Sequence, residues 1–313
     1  MENGAVNTFF EKNAESWIIM GYNDDGYNYP TGLHRARIIQ KILGSLGDER
    51  KIVDMGCGGG NVSMMLAELG HSVTGIDGAN KMIEISENLR EQAAQEVQAR
   101  VKFYCRPITE NELEEGQYDV CIAMGVIGYL PEDEILFNEA NRLLKPGGLF
   151  LVSCRNRLFN MQSISFRTVN EIKNNEAEEL IEEMGELYEK VPAEKVDDMI
   201  HKLKDIAAVL PDRTTYDNEA MKDPAKKLKG DSTYKPYHEP KQHTPKRLSK
   251  TALSCGFQNK AYHGVHPHLI DPRLNKLLPP QIFNKISGCL EAFEELPISL
   301  VCSSVFIGVF QKQ

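Results

Sequence analysis

Strand-like and helix-like segments alternate over residues 48–155, and no other feature of the sequence restricts the fold as much. Each short apolar run is followed by a stretch with apolar residues at helical spacing, as at Val62, Leu66 and Leu69. Strands that alternate with helices in this way form βαβ units with right-handed crossovers, so the sequence predicts a parallel sheet. The expected strands are 51–55, 72–77, 101–105, 119–124 and 149–153.

Three further zones flank or interrupt this alternation. Residues 1–47 are rich in aromatic side chains and are predicted to form an N-terminal helical cap. Residues 156–243 carry two apolar stripes at helical spacing and then a polar stretch, so we interpret them as an inserted helical lid that sets substrate specificity. Residues 244–313 complete the core, and two more strands expected there, 258–263 and 303–310, bring the sheet to seven.

Charge and composition exclude several classes of protein. The chain has 313 residues and a formal net charge of −9, which argues against a protein that neutralises nucleic-acid phosphates along a basic face. The longest near-apolar run, 298–310, is too short and too polar to span a bilayer, and no signal peptide is visible. The cysteines are scattered without a CxxC pair, which favours a reducing compartment. We therefore expect a cytoplasmic protein, monomeric or homodimeric, that binds a small molecule and neither nucleic acid nor membrane.

The most informative local motif is a strand that ends in an acidic residue and runs into alternating glycines. Asp54 is followed by glycines at positions 56, 58 and 60, which let the backbone turn sharply and let a ligand lie against main-chain amides. A dinucleotide fingerprint needs its third glycine where this chain has Asn61, and Asp54 repels a pyrophosphate. S-adenosylmethionine fits the motif better, because its sulfonium and ammonium groups are cationic.

The segment from Asp54 to Gly60 resembles motif I of the class I S-adenosylmethionine-dependent methyltransferases. Three more segments resemble the family in the same order, namely Asp77 at the end of the second strand, residues 118–130, and residues 143–149. The resemblance is nearest to small-molecule methyltransferases of the ubiquinone-biosynthesis type. The expected fold is therefore α/β, a Rossmann-like, doubly wound, mostly parallel seven-stranded sheet with an N-terminal helical cap and an inserted helical lid. The resemblance implies S-adenosylmethionine as the methyl donor and S-adenosylhomocysteine as the product.

The resemblance also implies which residues hold the cofactor. Asp77 takes the ribose hydroxyls, and Met82 packs on the adenine. Where the family often has Gly-Asp-Ala, this chain has Arg106-Pro107-Ile108, so adenine recognition is expected at the backbone of Ile108. The predicted cofactor site comprises Tyr22, Arg37, Asp54, Gly56, Cys57, Gly58, Gly60, Asp77, Gly78, Met82, Pro107, Ile108, Met124, Gly125 and Val126.

The N-terminal zone supplies two of these candidates. Arg37 is expected to bind the methionine carboxylate, because a guanidinium pairs with a carboxylate through two hydrogen bonds. Trp17, Tyr22 and Tyr29 are expected to cover the cofactor, where their rings can attract the sulfonium. The alternatives are a solvated helix arginine and aromatic rings that pack on the core.

Histidines near the end of the chain are the candidate bases. The cluster His263, His266 and His268 follows a predicted strand, and His266 or His268 is expected to deprotonate the acceptor. The alternative is a set of surface-loop histidines, and their spacing fits no zinc pattern, so no metal is expected. Tyr129 stands where relatives often have a histidine, and it is expected to donate a hydrogen bond or shape the pocket.

The acceptor is expected to be a hydroxyl, ahead of an amine or a carboxylate, on a small polar metabolite such as a sugar or a natural-product intermediate. Arg155 and Asn156, at the exit of the fifth strand, are expected in the pocket wall. Two other classes stay open from the sequence: a protein of the same fold that binds S-adenosylmethionine without methyl transfer, and a nucleotide-dependent oxidoreductase.

Overall fold

The computed structural model describes residues 3–22, 29–45, 47, 49–163, 165–209, 240–268 and 280–313. The strands are β1 Lys51–Met55, β2 Ser72–Asp77, β3 Val101–Cys105, β4 Tyr118–Met124, β5 Leu144–Asn156, β6 Gln242–His243, β7 Phe257–Pro267 and β8 Ser303–Lys312. The helices are α1 Asn3–Tyr22, α2 Thr31–Gly44, α3 Asn61–Glu68, α4 Asn80–Glu91, α5 Gln95–Arg100, α6 Asp133–Leu143, α7 Phe159–Gln162, α8 Phe166–Lys173, α9 Ala177–Glu189, α10 Ala193–Val209, α11 Pro245–Ser254, α12 Pro280–Leu290 and α13 Ser299–Cys302.

Seven of these strands form a continuous sheet in the order β3-β2-β1-β4-β5-β8-β7, and β6 pairs with β5 beside this path. The pairs among β1 to β5 are parallel, whereas β8 runs antiparallel to both β5 and β7. β7 therefore runs in the direction of β5, and the carboxyl ends of the parallel strands meet at one edge. This order confirms the predicted doubly wound, mostly parallel sheet, to which β6 adds a two-residue strand.

The sheet is buried on both faces because successive side chains of a strand point to opposite sides. Val53 and Met55 belong to one apolar cluster, and Ile52 belongs to the other. On the first face the buried helical residues include Leu136, Phe137, Ala140, Leu248 and Ala252, from α6 and α11. On the second face they include Ile38, Ile39, Leu43, Val62 and Leu66, from α2 and α3. Helices on both faces leave the edge at the carboxyl ends of the strands for a ligand.

The described part of the inserted segment 156–243 contains the helices α7 to α10 and the short strand β6, while residues 164 and 210–239 lie outside the described residues. Leu180 and Leu187 of α9 are buried in the same cluster as the first face of the sheet, so this part packs on the core. The predicted divisions between cap, core and lid stay a prediction. No helix in the described part of the chain is long and apolar enough to cross a bilayer.

Element boundaries differ from the sequence prediction mainly at β5, which is predicted over 149–153 and spans Leu144–Asn156, and at β7. The sequence predicts a strand over 258–263, but the ladder with β8 continues through Val265, opposite Val305, and Pro267, opposite Ser303. His266 and Pro267 in this extension break the apolar pattern, so pairing rather than side-chain type extends the strand. The start of α11 agrees with the sequence: the Thr244 side chain accepts a 3.2 Å hydrogen bond from the Arg247 amide.

Candidate functional site

A cavity of about 300 Å³ lies at the carboxyl ends of the parallel strands, beneath α1. Ten of the predicted cofactor residues line it: Gly56, Gly58, Asp77, Gly78, Met82, Pro107, Ile108, Met124, Gly125 and Val126. The other five do not line it: Tyr22, Arg37, Asp54, Cys57 and Gly60. The sheet thus gathers segments from four separate parts of the sequence at the edge where parallel sheets bind ligands.

The glycine loop, residues 56–60, brings main chain to the cavity wall. Gly56 has a φ of +74°, and a Cβ at this position would clash with the Val126 side chain. Gly60 has a φ of +79°, but its missing Cβ faces Ser86 and Phe103 at 2.7 and 2.8 Å. The lack of a Cβ at Gly56 therefore lets the loop pack against Val126 at the cavity wall, whereas Gly60 lets the loop pack against α4 and β3.

Asp77 is oriented by backbone amides at the end of β2. Its Oδ2 accepts a hydrogen bond from the Gly58 amide at 2.9 Å, and its Oδ1 accepts one from the Ala79 amide at 2.9 Å. Burial raises the pKa of Asp77 above its ordinary value, while these two hydrogen bonds oppose the shift. Each oxygen keeps lone pairs that the backbone does not use, so the carboxylate can accept hydroxyl groups in the cavity.

Asp54 lies behind the glycine loop rather than at the cavity wall. Its Oδ2 accepts a 2.7 Å hydrogen bond from the Ser63 hydroxyl. Burial, together with the negative charge of Asp77, raises the pKa of Asp54 to about 7 in spite of that hydrogen bond. Burial also raises the pKa of Tyr22 and of the Cys57 thiol, so both side chains stay neutral behind the loop.

Two arginines of α2 have opposite surroundings. Arg37 is half exposed and pairs with Glu291 at 3.2 Å, so the structure does not bring it to the cavity. Arg35 lines the cavity, burial lowers its pKa, and its Nε is buried without a hydrogen-bond partner among the described residues. Residues two positions apart point about 200° apart around a helix, which explains the difference. Helical spacing in the sequence indicates that Arg35 faces inward, because it lies on the same side of the helix as Ile38 and Ile39, which face the core.

The cap helix α1 closes one side of the cavity with Val6, Asn7, Phe10 and Trp17. The Phe10 ring packs edge-on against Trp17 at 5.4 Å and against Tyr129 at 5.5 Å. The Glu11 carboxylate accepts hydrogen bonds from the Asn80 and Lys81 amides, which anchors α1 to the first turn of α4. The structure thus places Trp17 at the cavity, as predicted for a cover, but not Tyr22 or Tyr29.

The far end of the cavity is lined by loop and strand residues next to β4 and β5. The residues that line this end are Tyr129, Ser153 and Arg155. The sequence analysis expected two of them, Tyr129 and Arg155, in the pocket. The Ser153 hydroxyl is buried and has no hydrogen-bond partner among the described residues. Asn156 instead donates hydrogen bonds to the main chain of α13 and β8, at Leu300 and Ser303, so its role is structural.

The two candidate bases lie together but away from the cavity wall. The rings of His266 and His268 are 4.2 Å apart, and neither residue lines the cavity. Tyr29 stacks on His266 at 4.2 Å, and the His266 amide donates to His34 Nδ1 at 3.3 Å. Burial holds the pKa of His266 well below its usual range, and the neighbouring His268, His34 and Arg35 lower it further. His266 is therefore neutral at physiological pH.

One group of potential metal ligands occurs among the described residues, His263 with Glu294 and Glu295. The Lys41 ammonium pairs with Glu294 at 3.1 Å and with Glu295 at 2.7 Å, so a cation of the chain itself neutralises these carboxylates. The expectation that no metal binds stays a prediction.

Residues 53–152 match a family model described as a methyltransferase domain. The matched segment begins in β1 and ends in β5, so it contains the glycine loop, Asp77 and the β4 wall of the cavity. Together with the sheet order, this match confirms the predicted resemblance to the class I S-adenosylmethionine-dependent methyltransferases.

Curated relatives cover the same part of the chain. One is the ubiquinone biosynthesis O-methyltransferase of Bordetella avium, 34% identical over 136 residues, which are 43% of this chain and 54% of that protein. Another is the ubiquinone biosynthesis O-methyltransferase of Bordetella pertussis, 36% identical over 132 residues, 42% of this chain and 52% of that protein. The chain spans about half the length of the curated relatives it matches.

A solved structure extends the likeness over the whole chain. The magnesium protoporphyrin IX methyltransferase of Synechocystis PCC 6803, solved with bound S-adenosylhomocysteine, superposes with a TM-score of 0.54 and 14% sequence identity, covering 100% of both chains. At this identity the likeness concerns the fold alone.

Proposed function

We propose that this protein transfers a methyl group from S-adenosylmethionine to a hydroxyl group of a small molecule. The observation that carries the proposal is the presence of two opposite charges in one cavity. They are the backbone-oriented carboxylate of Asp77 on β2 and the guanidinium of Arg35, which has no ion-pair partner among the described residues. The names of the curated relatives, which are O-methyltransferases, support a hydroxyl acceptor.

The residues at the cavity wall fit this cofactor along its length. Asp77 offers acceptor oxygens to a ribose diol, and Met82 and Ile108 offer an apolar surface to an adenine ring. Arg35 offers a guanidinium to the methionine carboxylate, the role that the sequence alone assigned to Arg37. When bound, the cofactor supplies an electrophilic methyl group on a sulfonium.

The side chains of this protein contribute by positioning the acceptor and excluding water. Phe10 and Trp17 cover the cavity and shield the reacting groups from solvent. Tyr129 and Ser153 carry the hydroxyl groups at the far end of the cavity, where each can accept or donate a hydrogen bond to the acceptor. Holding the reacting atoms close and in line supplies a large part of the rate of such a displacement. The role of His266 or His268 as general base stays a prediction, since neither reaches the cavity wall.

Calorimetric titration with S-adenosylmethionine tests the proposal, with Asp77→Asn as the variant and Asp119→Asn as the matched control. Asp119 is also an aspartate on a parallel strand, but it pairs with Lys145 at the opposite end of the sheet. We expect the wild type and the control to bind, and Asp77→Asn to bind about tenfold to a hundredfold more weakly, because it loses charge-assisted hydrogen bonds. No binding by the wild type, or equal affinity in the Asp77 variant, would overturn the proposal.

A further inference from the structure

Two guanidinium groups, those of Arg35 and Arg155, line the same cavity, and neither has an ion-pair partner among the described residues. The third cationic side chain at the wall, Lys241, differs because its ammonium pairs with Asp133 at 2.5 Å. Arg155 lowers the pKa of Arg35 in addition to the effect of burial, which places the two positive charges within electrostatic range of each other. A guanidinium stays protonated in proteins, so both positive charges persist.

The proposed cofactor does not balance this charge. Its carboxylate offers one anion, but its sulfonium and ammonium bring two cations, and Asp77 is the one acid among the described residues at the cavity wall. The cavity with cofactor therefore keeps two positive charges in excess. Asp54, behind the glycine loop, removes at most one of them. Unpaired charge that is shielded from water is costly, so a second anion is expected in the same cavity.

The positions of the two arginines separate their roles. A Cβ placed on Gly125, at the end of β4, would lie 3.4 Å from Arg35 Nη1, which puts this guanidinium beside the strand next to the glycine loop. Arg155 lies on β5, one strand further from Asp77, and two residues beyond Ser153, which pairs with Met124. Asp77 and Arg155 therefore stand on strands about 14 Å apart. Arg35 is on the cofactor side and Arg155 is on the acceptor side.

The sheet also fixes the position of the Arg155 main chain. Its main chain is in register with Val305 of β8 and with Gln242 of β6, so strands hold it on both sides. Ser153 and Arg155 point to the same face of β5, because residues two apart on a strand share a face. The Ser153 hydroxyl, which is buried and has no hydrogen-bond partner among the described residues, thus projects from the same face of β5 as Arg155, and both residues line the cavity.

We propose that the methyl acceptor carries an anionic group, a carboxylate or a phosphate, and that Arg155 binds it with the help of the Ser153 hydroxyl. This inference rests on the proposed function. A planar guanidinium binds either anion through two parallel hydrogen bonds. The acceptor is then a hydroxy acid or a phosphorylated alcohol, with its anionic group on β5 and its hydroxyl group toward Tyr129.

The test compares matched acidic and neutral ligands on protein saturated with S-adenosylhomocysteine. The pairs are 3,4-dihydroxybenzoate with 3,4-dihydroxybenzamide, glycerate with glyceramide, and glycerol 3-phosphate with glycerol. We expect at least one acid to bind about tenfold or more tightly than its neutral partner, which is the size expected of a charge-assisted hydrogen bond. The pair that shows the preference distinguishes a carboxylate acceptor from a phosphate acceptor.

Arg155→Met is expected to abolish the preference while keeping wild-type affinity for S-adenosylhomocysteine, and Arg155→Lys is expected to keep part of it. Lys145→Met, at the opposite end of β5, is the matched control and keeps the full preference. If S-adenosylhomocysteine does not bind the wild type, the proposed function itself fails. If it binds and no acid is preferred, or if Arg155→Met retains the preference, only the anionic-acceptor proposal is overturned.

Discussion

The Gly58 amide donates a 2.9 Å hydrogen bond to the carboxylate of Asp77, and this contact joins two sequence motifs into one structural unit. The glycine loop and the end of β2 are separated along the chain, but β1 and β2 are adjacent parallel strands. A ligand that contacts the loop backbone therefore also meets the acidic side chain. Any change at one of the two motifs is expected to disturb the other.

The two arginines of α2 give the sharpest test of the cofactor site. We expect Arg35→Met to weaken S-adenosylmethionine binding by about tenfold to a hundredfold, because it removes a charge-assisted pair with the methionine carboxylate. Arg37→Met, two residues away, removes the same charge from an exposed pair with Glu291 and is expected to leave the affinity unchanged. Calorimetry on both variants measures the difference. A larger loss in Arg37→Met than in Arg35→Met would restore the assignment made from sequence alone.

Gly60 is expected to matter for stability rather than for binding. Gly60→Ala adds a Cβ against Ser86 and Phe103 at a positive φ, which should lower the free energy of unfolding by about 1–3 kcal/mol. Gly44→Ala, at a glycine with nothing within 4 Å of the added atom, should change it by less than about 1 kcal/mol. Urea unfolding of both variants measures this. Full stability in Gly60→Ala together with lost cofactor binding would argue that Gly60 contacts the ligand.

Asp54 is expected to make stability depend on pH near neutrality. Its pKa of about 7 in the folded protein lies above that of an unfolded aspartate, so its ionisation penalises the folded state. This contribution is absent below about pH 4 and grows to about pH 7, at up to about 1.4 kcal/mol per pH unit. Asp54→Asn, which cannot ionise, should gain stability relative to wild type as the pH rises over this range. Urea unfolding at a series of pH values checks the trend.

Asp119→Asn is the control, because its stability relative to wild type should change with pH in the opposite direction. Partial burial raises the pKa of Asp119, but the Lys145 ammonium and the Lys51 amide outweigh it and lower the pKa overall. This variant should lose stability relative to wild type as the pH rises to about 4, where an unfolded aspartate ionises, and the difference should stay constant at higher pH. For Asp54→Asn, a difference in the free energy of unfolding from wild type that stays constant across the pH series would contradict a raised pKa of the buried Asp54 carboxyl.

The contact of Glu11 with the first turn of α4 is expected to hold the cap closed. Glu11→Gln weakens the hydrogen bonds to the Asn80 and Lys81 amides. The backbone amides of α1 should therefore exchange with deuterium about two- to tenfold faster, which corresponds to a decrease of about 0.4–1.4 kcal/mol in the free energy of opening of the helix. Glu15→Gln is the matched control, since Glu15 is an exposed residue of the same helix. Equal exchange in the two variants would show that this contact does not anchor α1.

The sheet was predictable because a parallel sheet buried on both faces leaves long apolar runs between helical patterns, as at β1 and β4. The position of Asp77 and the glycine loop at the cavity was predictable for a related reason, since it depends on backbone geometry that sequence motifs preserve. The position of Arg35 rather than Arg37 at the cavity was not predicted, because both residues lie near one turn of α2 and only the packed face of that helix distinguishes them.

The surroundings of the histidines could not be predicted from the sequence. The sequence placed them after a parallel strand, and β7 does run in the direction of β5, but His263 and His266 lie within β7 and only His268 follows it. The sequence could not show that Tyr29 and His34, more than two hundred residues away, pack against His266. The acceptor end depends in the same way on contacts between distant segments, such as Arg155 with Gln242 and Val305.

A crystal structure of the protein grown with S-adenosylhomocysteine tests the central claim most directly. The account predicts the ribose hydroxyls within about 3 Å of the Asp77 carboxylate, and the amino-acid carboxylate within about 3 Å of the Arg35 guanidinium. A ligand bound elsewhere, or bound in this cavity without contact to either side chain, would contradict it.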